Sequence, residues 1–118
     1  MDKITKGTIG EVTALNFLRN KGWRIRDVNW ETKTGEIDIV AEDGGTVVFV
    51  EVKARASFRY GSPSEAVAYY KQRKLSFMAA QYIKMKKLFD RPARFDVVEI
   101  VGGGVNHIEN AFESQVSF

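Results

Sequence analysis

Cysteine is absent from this chain. Its absence excludes disulfide frameworks, thiolate zinc sites, iron–sulfur clusters and cysteine nucleophiles. A single histidine, His107, excludes any multi-histidine metal centre. Ten glycines and two prolines are too few for a collagen or a low-complexity linker. No run approaches the roughly 18 apolar residues that suggest a membrane span. No apolar stretch follows the first lysines, so a signal peptide is not expected and a cytoplasmic location is. What remains is an ordinary globular composition, 44% apolar and 28% charged. With 118 residues and no internal repeat or linker, residues 1–118 read as one domain with one proper core.

Charge is unevenly placed. The net charge is +3. Residues 53–94 hold 11 Lys/Arg against 2 Asp/Glu, whereas residues 95–118 hold 4 Asp/Glu and no Lys/Arg. A block this one-sided suits a polyanionic partner such as nucleic acid, or else a solvated helix face covered by acidic neighbours.

Helical spacing of Ile9, Val12, Leu15 and Leu18, widened by Ala14 and Phe17, predicts a first helix from about Lys6 to Lys21, ended by Gly22. A strand follows over Trp23 to Trp30. Two strand-like runs, Gly35 to Asp43 and Thr46 to Arg55, flank Gly44-Gly45, which reads as a two-residue hairpin turn. Ser62-Pro63-Ser64-Glu65 reads as a capped helix start, continuing to about Phe89. Arg94 to Val101 is a further strand, and Val105 to Glu109 a short last one beyond the glycines at 102–104. A hairpin and a helical crossover together predict one mixed sheet of four to five strands, ordered helix-strand-strand-strand-helix-strand.

If the hairpin loop is Gly44-Gly45 alone, Asp38 lies opposite Glu51 and Glu36 opposite Lys53. Period-two alternation then puts Ile37, Ile39, Ala41, Val48, Val50 and Val52 on an apolar face, and Glu36, Asp38, Glu51 and Lys53 on the other. Facing carboxylates repel. A shared proton relieves this, and so does a divalent cation held by carboxylate oxygens, waters and a main-chain carbonyl such as that of Val52. The plainer alternative is a Glu36–Lys53 ion pair with Asp38 and Glu51 in solvent. Glu11 lies on one helix face with Ala14, Leu15 and Leu18, at the margin of the apolar stripe, where it can reach the same place. A metal with a lysine beside it, Lys53, suits phosphodiester hydrolysis.

The residues that carry this pattern resemble those of a known family. They are Gly7 to Glu11 with Ala14, Asn29-Trp30, Gly35-Glu36-Ile37-Asp38, and Val48 to Lys53 with Arg55. Gly61, Pro63, Glu65-Ala66-Val67, Lys71-Gln72-Arg73, Arg94 to Val98 and His107 to Phe112 follow in order. From about residue 7 to 112 the chain resembles the YraN-type family of small predicted nucleases. That family lies in the restriction-endonuclease-like PD-(D/E)xK superfamily and is similar in layout to archaeal Holliday-junction resolvases. The resemblance implies an α/β/α sandwich with the site at one edge of a mixed sheet. It also implies a catalytic set of Asp38, Glu51 and Lys53, with Glu11 as the acidic residue of the first helix. Where the family often carries Thr-Pro, this chain has Ala68-Tyr69-Tyr70, which points to a helix running on without a break.

The expected activity is metal-dependent endonucleolytic hydrolysis of structured or branched DNA, with Mg2+ or Mn2+ held by Asp38, Glu51 and the Val52 carbonyl. The alternative is a non-catalytic nucleic-acid-binding module on the same fold. Lys71, Arg55, Arg59, Arg73 and Lys74 are the candidate phosphate contacts, which would position nucleic acid without reading its sequence. Tyr60, Tyr69 and Tyr70 are candidates for stacking on unpaired bases. His107 and the two tryptophans read as structural. No membrane partner is expected, and analogy with resolvases makes a homodimer an expectation.

Overall fold

The computed structural model describes residues 8–55 and 67–116. Its elements are α1 (Thr8–Asn20), β1 (Arg24–Thr32), β2 (Gly35–Asp43), β3 (Thr46–Ala54), α2 (Tyr69–Lys86), β4 (Ala93–Val101) and β5 (Gly104–Phe112). The five strands form one sheet in the order β1-β2-β3-β4-β5. Only β3 and β4 run parallel, because α2 is the crossover between them; the other neighbours are antiparallel. One helix packs on each face, which makes the predicted three-layer α/β/α sandwich. Between α1 and the sheet pack Ala14, Leu18, Trp23, Ile39, Ala41, Val48, Val50 and Val98. Between α2 and the sheet pack Val40, Val47, Phe49, Leu75, Met78, Tyr82, Phe95 and Val97. Strands β2, β3 and β4 are covered on both faces, so their apolar residues run nearly unbroken. No helix among the described residues is long and apolar enough to cross a membrane.

The Gly44-Gly45 turn stands as expected, with Asp43 paired to Thr46 and Gly44 at φ 62°. The last strand is longer than expected and reaches Phe112. Asn110, at φ 53° beside a break in the β4–β5 register, lets β5 continue past it to bury Ala111 and Phe112.

Three expectations about the helices need correction. The buried stripe of α1 is rotated: Ala14 and Leu18 are fully buried, but Ile9 and Val12 are 83% and 49% exposed. The packed face therefore runs through Gly10, Ala14 and Leu18, and it takes Glu11 inward. Gly10 faces Val52, Ala54 and Ile100, where a Cβ would make ordinary contact at 3.7 Å, so space does not force the glycine. Second, α2 does not run on unbroken from Ser62. Ala68 has ψ 148°, outside the helical range, and the helix starts at Tyr69. The Ser62–Glu65 start lies outside the described residues. Third, α2 stops at Lys86, short of Phe89. Lys87 takes the left-handed conformation at φ 57°, ψ 51°. The Leu88 amide then donates back to the Ile83 carbonyl at 2.9 Å, and Leu88 buries its side chain.

A left-handed lysine carries a Cβ penalty that glycine lacks. Lys87→Gly is expected to stabilise the fold by about 0.5–1 kcal/mol, a rise of a few degrees in melting temperature. A fall in melting temperature would show that the Lys87 side chain holds the loop in another way.

Candidate active site

The β2–β3 ladder follows the register read from the sequence through five pairs and then stops at Ile39↔Val50. Asp38 and Glu51 are the next residues in line, yet they do not form a ladder pair. Instead the Asp38 side chain turns between the strands, and its Oδ2 accepts the Val52 amide at 2.8 Å. Strand β3 continues beside β4 to Ala54↔Ile100. So β2 parts from β3 at Asp38 while β3 stays anchored in the sheet.

The parting shifts the alternation of β2 by one residue. Ile37, expected beside Ile39 on one face, joins the cluster beneath α2 together with Val40. Glu36 consequently turns to the α1 side. Opposite this slip, between the pairs Val28↔Ile39 and Trp30↔Ile37, Asn29 adopts φ 52°. Asparagine tolerates that conformation better than most residues. The buried Asn29 amide donates to Glu11 at 2.8 Å and to Glu36 at 3.2 Å. Glu11, Glu36 and Asp38, from α1 and β2, thus bring carboxylate oxygens within 4.8 Å of one another.

Glu51, 5% exposed, faces the α2 side. Lys71 Nζ lies 2.7 Å from its Oε2, and Lys53 Nζ lies 3.7 Å away. Lys71 shares its helix face with the buried Leu75, Met78 and Tyr82, which set its stem so that the ammonium reaches the site. Burial alone would lower the Lys71 pKa, but the hydrogen bond and charge of Glu51 outweigh it and the pKa stands above the ordinary value. Lys71 is therefore a fixed cation. For Asp38, burial and then repulsion from Glu51 push the pKa up to about 7, against the pull of the Val52 amide. Oxygen donors in such a group fit a hard divalent cation.

The remaining sequence candidates divide. Arg55 is engaged by the buried Glu99, its Nε 3.0 Å from Oε2, rather than lying in solvent. Arg73 is exposed and lies over the Phe77 ring, and Lys74 crosses Gly35 at the start of β2. Arg59 and Tyr60 lie outside the described residues. Tyr69 and Tyr70 are both exposed at the start of α2, beside Lys71. His107 is structural: it bonds Asp96 at 2.8 Å, receives the Lys21 ammonium at 2.8 Å and meets Phe17 and Trp23 edge-on. Sequence reasoning missed Glu36 and Asn29 as members of the site. Glu36 had a simpler partner in Lys53, and the only sign of Asn29 was its place in the Asn29-Trp30 motif.

The Asp38 shift has a consequence for stability when no cation is present. Between about pH 4 and pH 7 the folded chain keeps a proton that the unfolded chain releases, so stability falls as pH rises through that window. Asp38→Asn keeps an oxygen for the Val52 amide and removes the buried charge. With a chelator present, the variant is expected to melt above the parent at pH 8, with the gap closing by pH 4. A variant that melts below the parent at pH 8 would mean that the Asp38 charge is already compensated.

The model of the uncharacterised protein family UPF0102 matches residues 10–100, which includes every element of the site. A UPF0102 protein of Thermodesulfovibrio yellowstonii is 46% identical over 112 residues, covering 95% of this chain and 99% of that protein. Relatives described in the same words occur in Persephonella marina, at 43% identity over 92% of this chain and 93% of the relative, and in Clostridioides difficile, at 41% over 95% and 100%. The chain therefore belongs to the uncharacterised protein family UPF0102, the YraN-type family that its motifs resemble.

Proposed function

We propose that this chain is a divalent-metal-dependent endonuclease that hydrolyses phosphodiester bonds in structured or branched DNA. One observation carries the reading: Glu11, Glu36 and Asp38 converge within 4.8 Å where β2 parts from β3, beside a fourth carboxylate, Glu51, faced by two lysines. Magnesium or manganese would be held by Asp38, Glu51 and the Val52 carbonyl, with Glu11 and Glu36, whose carboxylate oxygens lie within 4.8 Å of that of Asp38, as further ligands. When bound, such an ion polarises a phosphate and lowers the pKa of a coordinated water.

The chain's own residues supply the rest. Asn29 fixes the orientation of Glu11 and Glu36. Lys53 stands where an ammonium can stabilise the negative charge that builds on the phosphate. Lys71, always charged, can hold a phosphate oxygen but cannot take a proton from water. Exposed Arg73 and Lys74 continue the positive surface along α2, and Tyr69 and Tyr70 offer faces for unpaired bases. A homodimer would present two such sites to paired strands.

A second reading, a non-catalytic nucleic-acid-binding module, draws on the Lys71–Glu51 ion pair, which already neutralises one carboxylate. Two measurements separate them. Calorimetric titration with Mn2+ is expected to show binding to the parent and none to Asp38→Asn. Cleavage of a four-way DNA junction is expected to fall by about a hundred-fold or more in Asp38→Asn and in Glu51→Gln. Variants that cut like the parent would remove these residues from the chemistry. Salt-sensitive binding without products at any metal concentration would assign the chain to the second reading.

A further inference from the structure

The Lys71–Glu51 pair of the carboxylate site lies at one end of α2, and a second charged cluster lies at the other. Glu42, near the end of β2, accepts three arginines. Arg26 bonds its Oε2, Arg91 approaches at 2.9 Å and Arg24 at 3.4 Å. Burial would raise the Glu42 pKa, but the Arg26 and Arg91 hydrogen bonds outweigh it, so the carboxylate stays ionised. Beside it, the Tyr82 hydroxyl donates to Asp27 at 2.5 Å and accepts from Arg26 at 3.0 Å. Burial first, then Asp27, push the Tyr82 pKa up to about 12, so the phenol adds no negative charge. Lys86 sits over the Tyr82 ring. Arg24, Arg26, Asp27, Tyr82 and Lys86 line a polar cavity of about 280 Å³.

The charges here do not balance. Among the described residues, four cations, Arg24, Arg26, Lys86 and Arg91, meet two carboxylates, Glu42 and Asp27. One carboxylate cannot use the donors of three guanidiniums, each of which carries five. Both outer arginines are open to solvent: the Arg24 side chain is 70% exposed and that of Arg91 37%. Glu42 holds like charges side by side, a rigid arrangement suited to an incoming anion with several oxygens.

The spacing connects this cluster to the carboxylates. On α2, Lys71 and Lys86 are fifteen positions apart, about 22 Å. Between them lies a groove of about 680 Å³ lined by Trp30, Thr32, Lys33, Thr34, Lys84 and Met85 among others. Its lining carries two lysines, Lys33 and Lys84, against one acid, Glu31.

We infer that the Arg24–Arg26–Lys86–Arg91 cluster is a distal anchor for a nucleic-acid phosphate backbone, gripping the substrate about six nucleotides from the carboxylate site at roughly 3.4 Å per nucleotide. The anchor depends on the nucleic-acid part of the reading above and not on cleavage, so it is tested by binding with a chelator present. The double variant Arg24→Gln/Lys86→Gln changes two exposed side chains and leaves Arg26 and Arg91 to hold Glu42. Thermal melting checks that it folds.

The probe is a DNA four-way junction with arms of about 15 base pairs, compared with one of about five. On long arms the variant is expected to bind about ten-fold or more weakly at 0.1 M salt, and its log K against log salt slope is expected to fall by about two. On short arms parent and variant are expected to bind alike. Equal affinity and slope on long arms would overturn the anchor, as would a loss of equal size on short arms. Inorganic triphosphate, titrated separately, distinguishes the other source of the same chemistry. Triphosphate binding lost in the variant, with DNA binding unchanged, would assign the cavity to a free polyphosphate and overturn the nucleic-acid assignment. A parent that binds no DNA would also overturn it, whereas a parent that binds with this length dependence and never cuts would leave the anchor standing and remove the nuclease.

Discussion

The candidate site depends on a single hydrogen bond made in an unusual place. Where the ladder would place a main-chain carbonyl, the Asp38 carboxylate accepts the Val52 amide, and β2 leaves β3 at that point. A sheet that continued unbroken would leave no room between these strands for a substrate or an ion. Because the parting shifts the alternation of β2 by one residue, it also moves Glu36 to the side where α1 delivers Glu11. Asn29 completes the arrangement from β1 with a backbone conformation that a regular strand does not use. The resulting Asp38 is a poor contributor to stability, being buried beside other carboxylates, and its raised pKa records that cost. Sites that store such a cost are where function is concentrated.

Strand β4 shows how the fold sustains charge elsewhere in its interior. Asp96 and Glu99 are each about 1% exposed. Asp96 is met by Arg94, by His107 and by the Asn110 amide, which together outweigh burial and hold its pKa below the ordinary value. Glu99 is met by Arg55 and Asn106. These groups are satisfied in place, as buried charges must be. They tie β5 to β4 and hold the end of β3 that carries Glu51 and Lys53. The contrast with Asp38 is physical: cations and amides hold Asp96 below the ordinary carboxyl range, whereas burial and Glu51 push Asp38 above it.

Much of this was legible in the sequence. Alternation around Gly44-Gly45 gave the hairpin and its register through five pairs, since any slip would have buried charge. Lys71, singled out as a phosphate contact, lies on the packed face of α2, from which its ammonium reaches Glu51. The rotation of α1 was not legible, because Ile9 and Val12 match the helical period as well as the residues that are buried. The end of α2 was hidden for a similar reason: helical periodicity carries no sign that Lys87 would turn left-handed. Residues of the basic block that looked alike in sequence fared differently, Arg55 meeting a buried acid and Arg73 an exposed ring.

By itself the sequence determined the order of helices and strands, the hairpin and the acidic and basic residue types gathered near its ends, because period and turn chemistry act between near neighbours. Only the tertiary structure decided which carboxylates share a site. Glu11, Asn29, Glu36 and Asp38 meet through the packing of α1 on a sheet whose strands part at one point. Strict alternation cannot foresee that parting, since it arises from a side chain taking the place of a backbone acceptor. The same holds at the far end, where Arg24 and Arg26, from the net-acidic half of the sequence, join Lys86 and Arg91 only because β1 lies beside α2.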